Sequence, residues 1–309
     1  MKPFSLTTLT NLTTVSGQVN LPEIAPTGPK FKPLMVGLHG GSYKSTYFDA
    51  DEKHTAALAS NGLGVPWLHR DVFPELWRNF GKPHGCNSMV LLCHSLGAPA
   101  GVMAAVEFAR EEEERKRGTG GAAAYPLAGI IMSGFGTRLI ETENKTEFRD
   151  GEQKKKEDNG FDEFSDEDEE DNKMIHFALD VKDAMMLPRG TCDEAVYGHT
   201  GQLDVGFPAR ERADALDTYL PRFRAGLAAG VRVPVLVGLA GRDCFWQGDE
   251  DHLREIVAAF AASPKAEGTF LRGAPHCIEL SYWSQAWYAR CFAFGLECAV
   301  WYHLNRYEV

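Results

Sequence analysis

The stretch Met89-Val90-Leu91-Leu92-Cys93-His94-Ser95-Leu96-Gly97-Ala98 decides how this chain is read. An apolar run leads into a serine, and the small residues Gly97, Ala98, Ala100 and Gly101 follow it. The pattern predicts a buried strand, a tight turn and a helix packed close against the strand it leaves. A serine at the tip of such a turn is held in a strained backbone conformation. Its hydroxyl is then presented beside the unpaired N–H groups that open the helix. Cys93 and Gly97 flank the tip, where close strand–helix packing requires small side chains.

Working outward, two further junctions of the same kind bear chemistry. Upstream, Pro33-Leu34-Met35-Val36-Gly37-Leu38 reads as a buried strand running into His39-Gly40-Gly41-Ser42. Glycines there let backbone N–H groups approach a reacting group closely. Downstream, Val233-Pro234-Val235-Leu236-Val237-Gly238-Leu239-Ala240 is a second apolar strand, followed by Gly241-Arg242-Asp243. Phe270-Leu271 then leads through Arg272-Gly273-Ala274-Pro275 to His276. A serine hydroxyl is a poor nucleophile until a base takes its proton, and an imidazole needs a carboxylate to hold its tautomer. Each element also has a plainer reading. Asp243 would cap a helix near Phe245, His276 would be an ordinary loop residue, and His39 and His94 would be structural.

Taken together, these segments resemble the α/β-hydrolase superfamily. Cys93-His94-Ser95-Leu96-Gly97 is similar to its Gly-x-Ser-x-Gly nucleophile elbow, with Cys93 in place of the first glycine. The order serine, acid, histidine is also that of the superfamily. Leu38-His39-Gly40-Gly41-Ser42 with Tyr47-Phe48-Asp49, and Ala240-Gly241-Arg242-Asp243-Cys244-Phe245-Trp246, resemble a microbial branch represented in bacteria and in fungal natural-product gene clusters. So do Pro275-His276-Cys277-Ile278-Glu279 and the segment Phe292 to Ala299. The resemblance implies an α/β fold, a mostly parallel twisted sheet with helices on both faces and a helical lid insertion. It implies Ser95, Asp243 and His276 as catalytic residues. The oxyanion-hole N–H groups would come from Gly41 and Leu96, with Gly40 as the second choice for the loop donor. No cofactor and no metal site is implied. The substrate class would be a small or medium apolar carboxylic ester or thioester. Acyl transfer, thioester release or C–C chemistry on the same residues, and a non-catalytic binding protein of this fold, are the alternatives.

Composition agrees with a large α/β unit. The chain has 309 residues, 44% of them hydrophobic, enough to bury a substantial core. We expect core segments over 1–137 and 226–309, an acidic disordered insertion over 138–173 and a helical lid over 174–225. Methionines within 180–187 would suit either a pocket roof or plain core. Net charge is −11, but residues 141–173 carry 15 acidic and 6 basic side chains and hence most of it. The remainder is close to neutral and offers no nucleic-acid surface. Residues 5–24 read as two antiparallel edge strands. Seven cysteines without paired spacing, no signal-peptide pattern and no transmembrane span suggest a cytoplasmic protein. Oligomeric state is not readable. One departure from the branch stands out: Gly62 to Leu68 should be a strand, yet only about twenty residues then remain before Met89. They leave room for one short helix, from Asp71 to Phe80.

Overall fold

The computed structural model describes residues 2–7, 14–20, 31–48, 59–60, 68–121, 123–140 and 174–305. The acidic stretch 141–173 lies outside them. One eight-stranded sheet organises the chain: β1 (Lys2–Thr7), β2 (Thr14–Val19), β3 (Pro33–Leu38), β4 (Ala59–Ser60), β5 (Ser88–His94), β6 (Leu127–Ser133), β9 (Val235–Arg242) and β10 (Ala266–Pro275), while β7 (Met174–Ile175) and β8 (Phe207–Pro208) form a separate antiparallel pair. The spatial order in the large sheet is β1-β2-β4-β3-β5-β6-β9-β10. From β4 to β10 every neighbouring pair is parallel, and β1 and β2 form the antiparallel edge read from residues 5–24.

The central strands are apolar on both faces because both faces are covered. Along β5, Met89, Leu91 and Cys93 point into one core, while Val90 and Leu92 point into the other. The first core is closed by four helices: α1 (68–81), α2 (Gly97–Lys116), α5 (209–224) and α6 (Glu250–Ala259). Ala98, Val102, Ala105 and Phe108 form the buried stripe of α2 at helical spacing. Its far end, Arg110 to Arg117, is an exposed face laced with ion pairs such as Arg110 with Glu107 and Glu114. The second core is closed by α3 (Leu179–Met186), α4 (Glu194–Leu203) and the long α7 (Ser284–Asn305).

The region after the glycine-rich loop differs from expectation. On the side away from β5, β3 pairs with β4, and Leu68 is helical rather than the end of a strand. Residues 61–67 lie outside the described residues. Helix α1 is also longer than the expected 71–80, with widened π-type turns at both ends. Leu68, Val72, Phe73 and Leu76 are all buried, so the apolar run serves one helical face. Met186 is buried and Met185 half-buried in the second core, and neither lines the cavity beside the serine turn, which favours plain core for that pair.

Candidate active site

Strand register brings the three junctions together. Leu38 pairs with Cys93, so the His39–Gly41 loop leaves the sheet beside the turn holding Ser95. Arg242 pairs with Pro275, which sets Asp243 and His276 side by side at the ends of β9 and β10. Ser95 has φ of +52°, a left-handed conformation that costs a non-glycine residue about 1–2 kcal/mol. Its N–H is tied to the Ser133 carbonyl at 2.8 Å, and its carbonyl accepts from Ala98 N–H at 2.9 Å.

Ser95 Oγ lies 3.1 Å from His276 Nε2. On the other side of the imidazole, Nδ1 lies 2.9 Å from Asp243 Oδ2 and 3.1 Å from Oδ1. Nε2 is thus placed to accept from the serine hydroxyl, while Nδ1–H donates to the carboxylate. Asp243 Oδ1 also accepts from Phe245 N–H at 2.8 Å, so the acid caps a local turn as well as facing the histidine. No helix starts there; α6 begins at Glu250. Phe245 packs edge-on against the His276 ring.

Both loop glycines face the turn. A Cβ at Gly40 would lie 2.7 Å from Ser95 Cβ, and one at Gly41 would meet Leu96 and the Phe207 ring. Gly97 is equally constrained, since a side chain there would collide with the Leu38 carbonyl. His39 Nδ1–H donates to the Gly40 carbonyl at 2.8 Å and braces the loop. The structure therefore gathers Ser95, Asp243, His276, Gly40, Gly41 and Leu96 in one place.

Behind the serine lies a buried polar cluster to which the sequence reading gave no role. Glu279 is fully buried and accepts from Ser133 Oγ (2.6 Å), Trp287 Nε1 (3.0 Å) and Tyr47 OH (3.0 Å). His94 Nδ1 is 3.1 Å from Glu279 Oε2, and the His94 ring stacks on Tyr47. Burial pushes the Glu279 carboxyl upward, but the His94 charge and the hydrogen bonds from His94 and Ser133 outweigh it, bringing it to about 2. His94 in turn packs against His276, with ring centroids 5.0 Å apart. A carboxylate inside the apolar run Cys277-Ile278-Glu279-Leu280 is the sequence signal that could have flagged this cluster, because a buried charge requires partners.

Beside the turn, on the side of the glycine loop, is a cavity of about 610 Å³. Leu38, Leu68, Leu96, Met103 and Phe207 supply much of its apolar wall, and α5 supplies Glu211, Ala215 and Tyr219. Ser95 and His276 are not among its lining residues; it meets the turn at Leu96 and Gly97. Burial pushes the Glu211 carboxyl up to about 7.

All seven cysteines are free. Cys93 is fully buried and its thiol pushed far up, which removes it as a nucleophile at ordinary pH. Among the described residues, Asp243, Cys244 and His276 are the one grouping tight enough for a metal ion, with ligand atoms within 4.8 Å of one another. His276 Nδ1 and Asp243 already engage each other, and burial pushes the Cys244 thiol away from the thiolate form a metal would need. Among the described residues, no helix is long and apolar enough to cross a membrane.

No protein-family model and no curated protein matches the sequence. Solved structures do match. Naproxen esterase (carboxylesterase NP) from Bacillus subtilis is 14% identical, with a TM-score of 0.55 over 95% of this chain and 90% of that one. A structure from work on carboxylesterases of the thaumarchaeon Nitrososphaera gargenis is 12% identical, with a TM-score of 0.53 over 96% and 98%. An AqdC variant described as recognising and ring-cleaving the Pseudomonas quinolone signal is 13% identical, with a TM-score of 0.55 over 96% and 99%. The chain has the α/β-hydrolase fold.

Proposed function

We propose that this protein is a serine hydrolase that cleaves a small or medium apolar carboxylic ester or thioester through an acyl-enzyme on Ser95. The observation that carries the reading is the continuous relay from Ser95 Oγ through His276 to Asp243, set on a strained turn. In the reaction, His276 Nε2 takes the hydroxyl proton as Ser95 Oγ attacks the carbonyl carbon. The same proton then passes to the leaving alcohol or thiol, and a water activated by His276 releases the acid. Asp243 holds the tautomer and stabilises the imidazolium. The N–H groups of Leu96 and of Gly41, or of Gly40, receive the oxyanion, each contributing about 3–4 kcal/mol where such donors have been removed in other enzymes.

The apolar cavity next to Leu96 supports an apolar acyl or alcohol group as the recognised part of the substrate. Met174, the segment Val205 to Pro208 and one face of α5 cover it, so residues 174–225 serve as the roof of the pocket in this reading. A fluorophosphonate probe tests the nucleophile: the wild type is labelled, Ser95→Ala is not, and Ser95→Ala lowers kcat on p-nitrophenyl butyrate by about 10⁴-fold or more. Absence of labelling in a folded wild type overturns the proposal and leaves a binding protein on this fold. Acyl transfer is distinguished by adding an alcohol or amine acceptor and looking for the transferred product.

A further inference from the structure

The helix α3 reaches into the glycine loop through one side chain. Lys182 is fully buried, and its ammonium donates to the Ser42 carbonyl and to Asp204 Oδ1, the latter at 2.7 Å. It also sits over the Tyr43 ring, 3.8 Å from the centroid. A buried ammonium persists only where partners offset its lost hydration. Burial pulls the Lys182 pKa down, and the hydrogen bond and charge of Asp204 oppose that shift.

The receiving residue is unusual. Ser42 follows Gly41 directly and has φ of +62°, a left-handed conformation adopted by only two non-glycine residues among those described, the other being Ser95. Its buried hydroxyl has no hydrogen-bond partner, so local side-chain bonding does not hold the reversal. The roof segment holds it instead. The Ser42 carbonyl accepts from Val205 N–H at 3.2 Å as well as from Lys182, and Lys44 N–H donates to the Leu203 carbonyl at 2.8 Å. Tyr43 and Asp204 bridge between these two bonds.

We propose that Lys182 is a positioning residue for the reaction: anchored by Asp204, it clamps the Ser42 carbonyl and thereby aims the loop donor, the N–H of Gly41 or of Gly40, at the oxyanion position. The inference rests on the serine-hydrolase reading above and adds a requirement to it, that the roof stay attached to the loop during turnover.

The test is steady-state kinetics of Lys182→Met and Lys182→Gln on p-nitrophenyl butyrate, with a boronic acid as tetrahedral mimic. Lys182→Met, which keeps the buried stem without the charge, loses kcat by at least tenfold while KM stays within threefold of wild type. Boronate affinity falls in proportion to kcat. Lys182→Gln, which keeps one donor, falls between the two. A lysine that only stabilised the fold would lower the melting temperature and leave kcat and boronate affinity per folded molecule unchanged. That result, in either folded variant, overturns the proposal. Should Lys182→Met not fold, Lys182→Gln carries the same reading. Fluorophosphonate labelling of the wild type at Ser95 separates this failure from that of the hydrolase reading: an unlabelled wild type sinks both, a labelled one with indifferent Lys182 variants sinks only the clamp.

Discussion

Cys93 and Gly101 compensate for each other across the strand–helix contact. Cys93 replaces a glycine of the usual elbow pattern, and its thiol fills the space that a side chain at Gly101 would need. Both positions are buried. Gly101→Ala should gain about 1 kcal/mol of helix propensity yet lose more to overpacking, for a net cost of about 1–2 kcal/mol. In a Cys93→Ala background the thiol is gone, and the same substitution should become stabilising. Urea unfolding of the four variants checks the change of sign. Ser95 and Asp243 could be singled out because each follows an apolar strand, and His276 because it comes after them in an order that the fold makes meaningful. Glu279 was not, because its partners Tyr47, His94, Ser133 and Trp287 come from four separate segments. Spacing along the chain carries no sign of such a convergence.

At the level of elements, α5 presents Glu211, Ala215 and Tyr219 to the cavity at intervals of four residues, one face of a helix. Glu211 is neutral below about pH 7 and charged above it. An ester bearing an acyl-chain carboxylate should therefore be disfavoured against its neutral isostere increasingly as pH rises from 6 to 8. The ratio of kcat/KM for the two substrates measures this, and Glu211→Gln should flatten it. The helices and strands of the core were readable from apolar periodicity. Of the strand expected over Gly62 to Leu68 only Leu68 is described, and it opens a helix, since a short apolar stretch suits a buried strand or a buried helix face equally. At its start the packing favours the helix: Leu68, Val72, Phe73 and Leu76 help to close the first core.

For the whole molecule, the Glu279 cluster joins β5, β6, the loop at Tyr47 and helix α7 through one carboxylate. Its native pKa of about 2 lies below the ordinary glutamate value of 4.5. The depressed carboxyl contributes stability that is fully present above about pH 4.5 and is lost as pH falls toward 2. The contribution is on the order of 3 kcal/mol. Glu279→Gln should thus be less stable than wild type at pH 7, with the gap narrowing between pH 4.5 and 2. Urea midpoints across that range check it. The distribution of charge was legible at this scale, since residues 141–173 carry most of the net negative charge and the rest of the chain is nearly neutral.

The same cluster has a consequence in time. A chain is synthesised from its N-terminus at about 5–20 residues per second, so β5 and the turn at Ser95 emerge well before Glu279 and Trp287. Until those residues dock, His94 lacks its Glu279 partner, and Asp243 and His276 have not yet arrived. In the proposed mechanism, therefore, Ser95 acquires its base only after nearly nine-tenths of the chain has been made, and shorter nascent chains hold the serine without it.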